Sequence, residues 1–342
     1  CGMACQFNSG ELCPIDALQP YIQDALDLIE FANGPADSVW GAKRAAMGHP
    51  EPFHVKMMGI GNEQWGQQYI DRYIKFATAI KAKYPDIQLV AAAGPEPADK
   101  RFQFAWSKLR ELHADIIDEH SYALPDWFYS NTHRYDDYDR NGPKVFMGEY
   151  AAQSVAVVST KNRNNLECAL SEAAYMMGLE RNADVVRMAS YAPLFSNTEA
   201  WQWTPDLIWV NSLNVSLTPN YFVQQLFSLN RGNEVLPTEM SDAPSKKFFA
   251  SAVHDDQTGE VILKVVNGGD APADVSIKLA GATKVDAEGR EIVLTGTSLH
   301  DVNKIGHAAA VKPVESALAV SGDNFTRTFQ PWSLTILRVK TQ

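Results

Sequence analysis

The sequence predicts an α/β chain, a (β/α)8 (TIM) barrel lacking its first two strands, followed by an all-β sandwich. Three observations predict it. From residue 14 to about 232, helical stretches alternate with short apolar runs, the pattern of βα units that lay down a parallel sheet. The apolar runs close at Glu63, Gly94, Tyr122, Glu149 and Pro193, which are 31, 28, 27 and 44 residues apart, and a βαβ unit needs about 30. Past Glu234 the helical period gives way to alternating runs separated by turn signals.

The elements follow in order. CGMACQF at the start is neither a charged leader nor a signal peptide and reads as the tail of a buried strand, Met3 to Phe7. Pro14 to Phe31 is a helix with Ile15, Leu18, Ile22, Leu26 and Ile29 on one face. VKMMGIGNE (55–63) is a strand. Gln68 to Tyr84 is a helix stopped by Pro85. IQLVAAAG (87–94), DIIDEHSY (115–122), KVFMGEYAA (144–152) and VVRMASYAPLF (185–195) continue the strands. Helices at Phe102 to Leu112, Asn165 to Arg181 and Tyr221 to Asn230 separate or follow them. Gly34, Gly41 and Gly48 are read as turn residues of a long loop braced by Arg44 and Glu51. Five strands and the remnant make about six of a barrel's eight, so the chain is expected to begin inside a larger protein. A doubly wound sheet is disfavoured, because GIGNEQWG has Gln64 where a G-x-G-x-x-G turn requires glycine.

The 342 residues exceed one core's usual size. Residues 1–233 are assigned to the partial barrel and 234–342 to the sandwich, with Pro237 to Ser245 as linker. FFASAVHD and EVILKVVN flank the turn Asp256 to Gly259, DVSIKLAG follows, and SLTILRVK closes the chain.

A net charge of -11 argues against a phosphate backbone as partner, and no apolar run approaches the ~20 residues of a membrane span. Cys1, Cys5, Cys13 and Cys168 lack paired C-x-x-C spacing and read as free or structural thiols, with a disulfide left open.

Catalytic groups of a parallel barrel sit where strands run into βα loops. Asn62 with Glu63, His120 with Tyr122, and Glu149 with Tyr150 occupy such places. One strand-end carboxylate is more often a cap or a salt bridge. Two glutamates three strand positions apart are a stronger signal, because on a closed barrel they face each other across the mouth. Retaining glycosidic cleavage uses two carboxyls about 5 to 5.5 Å apart, one protonating the leaving oxygen and one attacking the anomeric carbon. Spacing alone does not say which glutamate plays which part.

The runs EFANGPADSVWGAKRAAMGHPEPF (30–53), IGNEQWG (60–66), DEHSY (118–122), MGEYAA (147–152), YAPLF (191–195) and WTPDLIWVN (203–211) resemble family 51 glycoside hydrolases, the α-L-arabinofuranosidases of clan A. The resemblance implies that Glu63, in the Asn-Glu pair, is the acid/base and that Glu149, in G-E-Y-A, is the nucleophile. It implies that Asn62 bonds the sugar 2-hydroxyl, and that His120 and Tyr122 orient Glu149 and hold it ionised. The family's sugar contacts from its first two strands have no counterpart here, and APLF stands where some members carry a sugar-binding Gln.

Trp65, Trp127, Trp201, Trp203 and Trp209 are candidate sugar platforms, Trp203 first among them. His49, His54 and His113 are read as structural. Asp118 and His120 share a strand face that Glu119 does not, so DEH alone is not a metal site, and the chemistry requires no metal or other cofactor. Asn214-Val-Ser and Asn324-Phe-Thr match the glycosylation sequon.

The expected activity is removal of terminal α-L-arabinofuranose from arabinan, arabinoxylan or their oligosaccharides with retention. The alternatives are another clan A glycosidase, an endoglucanase or xylosidase, or a non-catalytic carbohydrate-binding fragment. The expected partner is an arabinose-containing glycan, with no nucleic acid and no membrane. Family members often form oligomers, which admits a homo-oligomer, and the resemblance alone favours a periplasmic or extracellular setting.

Overall fold

The computed structural model describes residues 12–342. The remnant strand at Met3 to Phe7, with Cys1 and Cys5, lies outside the described residues. Contacts divide the rest into two compact units. The first runs to Ser121 and takes in Tyr138–Gly148 and Asp184–Ala189; the second comprises Tyr122–Asp137, Glu149–Ala183 and Ser190–Gln342.

In the first unit five strands lie side by side in chain order: β1 (Met57–Ile60), β2 (Gln88–Ala92), β3 (Ile116–Ala123), β4 (Lys144–Ala152) and β5 (Val186–Tyr191). β1 with β2 and β2 with β3 pair in parallel. The last residues of β3, β4 and β5 belong to the second unit. The helices of this unit are α1 (Gln19–Asn33) and α2 (Val39–Ala46), ahead of β1, and α3 (Gln67–Lys83) and α4 (Lys100–Glu111), which connect β1 to β2 and β2 to β3. α3 buries Tyr69, Ile70, Tyr73, Phe76 and Ile80 along one stripe. The Tyr69 hydroxyl donates to Ile60 O at 2.8 Å and accepts from Ala92 N at 2.7 Å, so one buried phenol ties the end of β1 to that of β2.

The span read as a long loop contains α2. Ser38 caps it, its Oγ accepting from Gly41 N at 3.0 Å. Arg44, fully buried, donates to Phe31 O and Gly34 O at 2.7 Å and to His49 O and Pro50 O at 3.0 Å. The guanidinium therefore braces the segment as expected, from a helix rather than from a loop.

The second unit contains α5 (Pro125–Ser130), α6 (Leu166–Arg181), a small sheet of β6 (Phe195–Asn197), β7 (Ile208–Val210) and β8 (Val215–Leu217), and α7 (Pro219–Leu229). Then come β9 (Glu234–Leu236), β10 (Phe248–Asp255), β11 (Glu260–Asn267), β12 (Ala273–Lys278), β13 (Glu288–Thr295), β14 (Val314–Ala319), β15 (Asn324–Phe329) and β16 (Ser333–Lys340). Six of them form an antiparallel sheet in the order β14-β13-β16-β11-β10-β9, and β12 pairs with β15. This is the β-sandwich that the alternation predicts.

β16 is buried from Ser333 to Val339 because both of its faces are covered. Leu334 and Ile336 join a core with α6 and α7, whereas Leu337 and Val339 pack with Phe325 and Phe329 of β15. Lys264 of β11 is buried against α6, its Nζ 2.9 Å from both carboxylate oxygens of Glu180. Burial lowers the pKa of this lysine and Glu180 opposes the shift. Among the described residues no helix is long and apolar enough to cross a membrane.

Candidate active site

Glu63 is not on a strand. β1 ends at Ile60, and Gly61 (φ 86°) and Glu63 (φ 54°) turn the chain through left-handed backbone. For a glutamate that conformation costs about 1–2 kcal/mol. The Asn62 amide N–H donates to Gln64 Oε1 at 3.0 Å inside the turn. The Glu63 side chain is 35% exposed, and its Oε1 lies 2.9 Å from Nδ1 of the buried His120.

His120 Nε2 in turn faces Asp118 Oδ2 at 3.3 Å. Residues 118 and 120 share a face of β3 by strand periodicity. Glu119, on the other face, is buried and accepts from Trp106 Nε1 and from the Tyr138 hydroxyl, each at 3.0 Å. The expected divergence of Glu119 from its neighbours is therefore observed. A neutral imidazole has one N–H, so with a carboxyl at each nitrogen either the ring is protonated or one carboxyl supplies a proton. Gly148 lies against this array. A Cβ at that position would overlap the Asp118 carboxylate, which accounts for the glycine before Glu149.

In the second unit the Tyr122 hydroxyl donates to Glu149 Oε2 at 2.7 Å. The neighbouring Tyr150 is buried, exchanges hydrogen bonds with Gln224, and packs on Phe128, Tyr175 and Tyr191. Burial raises the pKa of its phenol. Ala152 N, three residues past Glu149, donates to Glu172 Oε1 at 2.7 Å, and Asn220 Nδ2 donates to Glu172 Oε2 at 2.7 Å. Burial pushes Glu172 up to about 8. Of the tryptophans, Trp203 and Trp201 stand in the exposed segment between β6 and β7, Trp209 is on β7, Trp65 stacks with Arg101, and Trp127 joins the Phe128–Tyr175 ring cluster.

The geometry thus joins Glu63 to His120 and Tyr122 to Glu149. His120 bonds both Glu63 and Asp118. Asp118, Gly148 and Glu172 were not singled out from sequence for these positions. Glu172 left a usable sign, a lone acid in the small and apolar run ALSEAAYMM. Elsewhere, Glu234, His254 and Asp256 bring ligand atoms within 4.8 Å of one another, one donor fewer than a structural zinc site uses.

Residues 148–333 match the family profile described as the α-L-arabinofuranosidase C-terminal domain, and residues 1–140 that of the α-L-arabinofuranosidase 1 domain. The chain belongs to the α-L-arabinofuranosidase family, glycoside hydrolase family 51. Among its relatives in this family, an extracellular exo-α-L-arabinofuranosidase of Streptomyces chartreusis is 47% identical over 268 residues, covering 78% of this chain and 30% of the relative. α-L-arabinofuranosidase 2 of Arabidopsis thaliana is 37% identical over 307 residues, covering 89% of this chain and 43% of the relative. The chain therefore spans less than half the length of these curated relatives. An arabinose-bound family 51 α-L-arabinofuranosidase superposes with a TM-score of 0.89 at 33% identity, over 99% of this chain and 54% of that one. The arabinose-complexed enzyme of Thermotoga maritima, 19% identical with a TM-score of 0.78 over 94% of this chain and 73% of that one, shares the fold. A barrel-type α/β core followed by a β-sandwich is thus the architecture of this family 51 chain.

Proposed function

We propose that this chain carries the catalytic pair of an exo-acting, retaining α-L-arabinofuranosidase that releases terminal α-L-arabinofuranose from arabinan, arabinoxylan or derived oligosaccharides. The observation that carries the reading is the separate provision made for the two glutamates. An imidazole meets Glu63 and a phenol meets Glu149, supplied by His120 and Tyr122, two residues apart on β3. The exo-acting Streptomyces relative supports the mode of attack. Residues 1–233 would form the partial catalytic barrel and 234–342 the accessory sandwich.

Glu149 attacks the anomeric carbon as a carboxylate, with the Tyr122 O–H holding one oxygen so that the other is directed at the sugar. Glu63 enters protonated and passes its proton to the departing glycosidic oxygen as the carbon–oxygen bond breaks and the glycosyl ester forms. With the Glu63 proton on the oxygen that faces the leaving group, its Oε1 accepts from the His120 Nδ1–H, and Nε2 meets Asp118 either as the N–H of a protonated ring or as the acceptor of an Asp118 O–H. In the second half the Glu63 carboxylate takes a proton from water, the water oxygen displaces Glu149, and arabinose leaves with its configuration retained. In this reading Asn62, beside Glu63 in the turn, bonds the sugar 2-hydroxyl, and Trp203 offers an indole face.

The test is turnover of an aryl α-L-arabinofuranoside by the purified chain. Glu149→Ala abolishes it and azide restores it as the glycosyl azide, whereas Glu63→Ala retains most activity on the substrate with the best leaving group. Unchanged turnover of Glu149→Ala, or of Glu63→Ala on a substrate with a poor leaving group, overturns the assignment. Preference for an aryl xyloside or cellulose replaces the substrate while keeping the chemistry, and no turnover at all favours a carbohydrate-binding role.

A further inference from the structure

A concave site lies within the second unit, built on the face of the β6-β7-β8 sheet that carries Trp209. β7 is paired on both sides, with Trp209 beside Ser196 of β6 and opposite Ser216 of β8. Strand periodicity puts Thr198 and Thr218, two residues beyond those serines, at the same face. Thr198, Trp209, Ser216 and Thr218 all line a cavity of about 370 Å³. Trp201, 39% exposed, adds a second indole from the loop ahead of β7.

The opposite wall is the segment Val302–Ile305 of the sandwich, and it is fastened down. Asn303 Nδ2 donates to Leu217 O at 2.8 Å and to Val311 O at 2.7 Å, while its Oδ1 accepts from Val311 N at 2.9 Å. Val302 bridges to Asn165. The third side is Arg163 and Asn164, the latter buried and donating to the Tyr191 hydroxyl at 2.7 Å. The pocket is therefore held by hydrogen bonds independently of any ligand, as binding pockets usually are.

Its chemistry is unlike the rest of an acidic chain of net charge -11. Two indoles line it for the C–H side of a sugar ring, and the hydroxyls of Thr198 and Ser216 are available to hydrogen-bond its edge. Arg163 and Lys304 bring two positive charges to the lining. Among the described residues neither is in an ion pair, and no residue lining this pocket carries a carboxylate. The Arg163 Nη1 is spent on the carbonyls of Thr160 and Asn162, which orients the guanidinium fork and leaves other N–H groups to a ligand. Two cations without an ion-pair partner match a carboxylate better than they match a neutral hydroxyl.

We propose that this pocket binds a uronic acid residue of an acidic glycan, its ring against Trp201 and Trp209 and its carboxylate between Arg163 and Lys304. The inference rests on the glycan-processing reading for its ligand class, yet neither Glu63 nor Glu149 lines this pocket. Binding needs no turnover, so the two readings fail separately.

The experiment is calorimetric titration of the full chain with trigalacturonate and with galactotriose, neither of which contains arabinose. The acidic trimer is expected to bind at least tenfold tighter, with affinity falling as salt is added. Lys304→Glu and Trp201→Ala, both at exposed positions, are each expected to weaken it at least tenfold with an unchanged melting temperature. Arg163→Gln is a second charge variant should Lys304→Glu disturb folding. Equal affinity for the two trimers, no binding of either, or full affinity in the folded Lys304→Glu and Arg163→Gln variants overturns the proposal.

Discussion

Tyr122 donates a hydrogen bond to Glu149, and such a bond to a carboxylate is worth about 1.5–3 kcal/mol when a partner is removed. Under the proposed mechanism Tyr122→Phe keeps the ring and loses the donor, so kcat on an aryl arabinofuranoside should fall about 10- to 100-fold with little change in KM. A kcat within twofold of the parent would show that Tyr122 does not orient the nucleophile. The Glu63 array rests on a different constraint, the absence of a side chain at Gly148. Gly148→Ala drives a methyl into the Asp118 carboxylate, and overpacking of this sort costs about 1–3 kcal/mol. Adding Asp118→Ala should restore the melting temperature, since the clash is gone, without restoring activity, since His120 Nε2 has lost its partner. If the double variant regains both, the Asp118–His120 contact has no part in the chemistry.

Among the elements, the Arg44 brace makes a prediction of its own. Four carbonyls from the end of α1 and from the chain beyond α2 converge on one buried guanidinium, and without it they face a cavity with no donor. Arg44→Ala should destabilise the first unit by roughly 3–5 kcal/mol, read as a shift in its denaturant midpoint. A loss below about 1 kcal/mol would mean that water replaces the side chain freely. This segment also shows where the sequence is hard to read. Its helix is short, and Gly34, Gly41 and Gly48 are turn residues by local preference, yet Gly41 sits inside α2 where a Cβ would strike Pro35. The Ser38 cap was the readable sign. Strands flanked by clear turns came through whole: β4, β10, β11 and β16 have the bounds their alternation predicts. β6, β7 and β8, three residues each, are too short for any period to register. Both glutamates and their β3 partners were legible as polar residues closing apolar runs. The left-handed turn that carries Glu63, and the Asp118–Gly148 fit, depend on neighbours distant in sequence and left no local trace.

At the scale of the molecule, buried carboxyls set how stability responds to pH. Glu172 is fully buried, with its pKa raised to about 8 from 4.5, and burial also raises Asp206 to about 6. Between 4.5 and 8 the folded chain keeps a proton on Glu172 that the unfolded chain has released, so stability declines as pH rises through that window. Asp136 acts in the opposite sense. Although burial alone would raise it, hydrogen bonds from Asn182 and His133 and the charge of Arg181 hold it down at about 2, so its contribution is present above 3.8 and is lost as pH falls toward 2. All three groups lie in the second unit. Its melting temperature should therefore peak on the acid side of neutrality and fall from pH 5 to pH 8. Glu172→Gln should flatten that fall, because an uncharged amide still accepts from Ala152 N and, once the Asn220 amide flips to turn its unpartnered Oδ1 in place of Nδ2, donates an N–H to it. Calorimetric scans of both proteins at intervals across pH 5–8 decide the matter. Parallel slopes would mean that Glu172 does not control the alkaline limb and that self-repulsion of the acidic chain does.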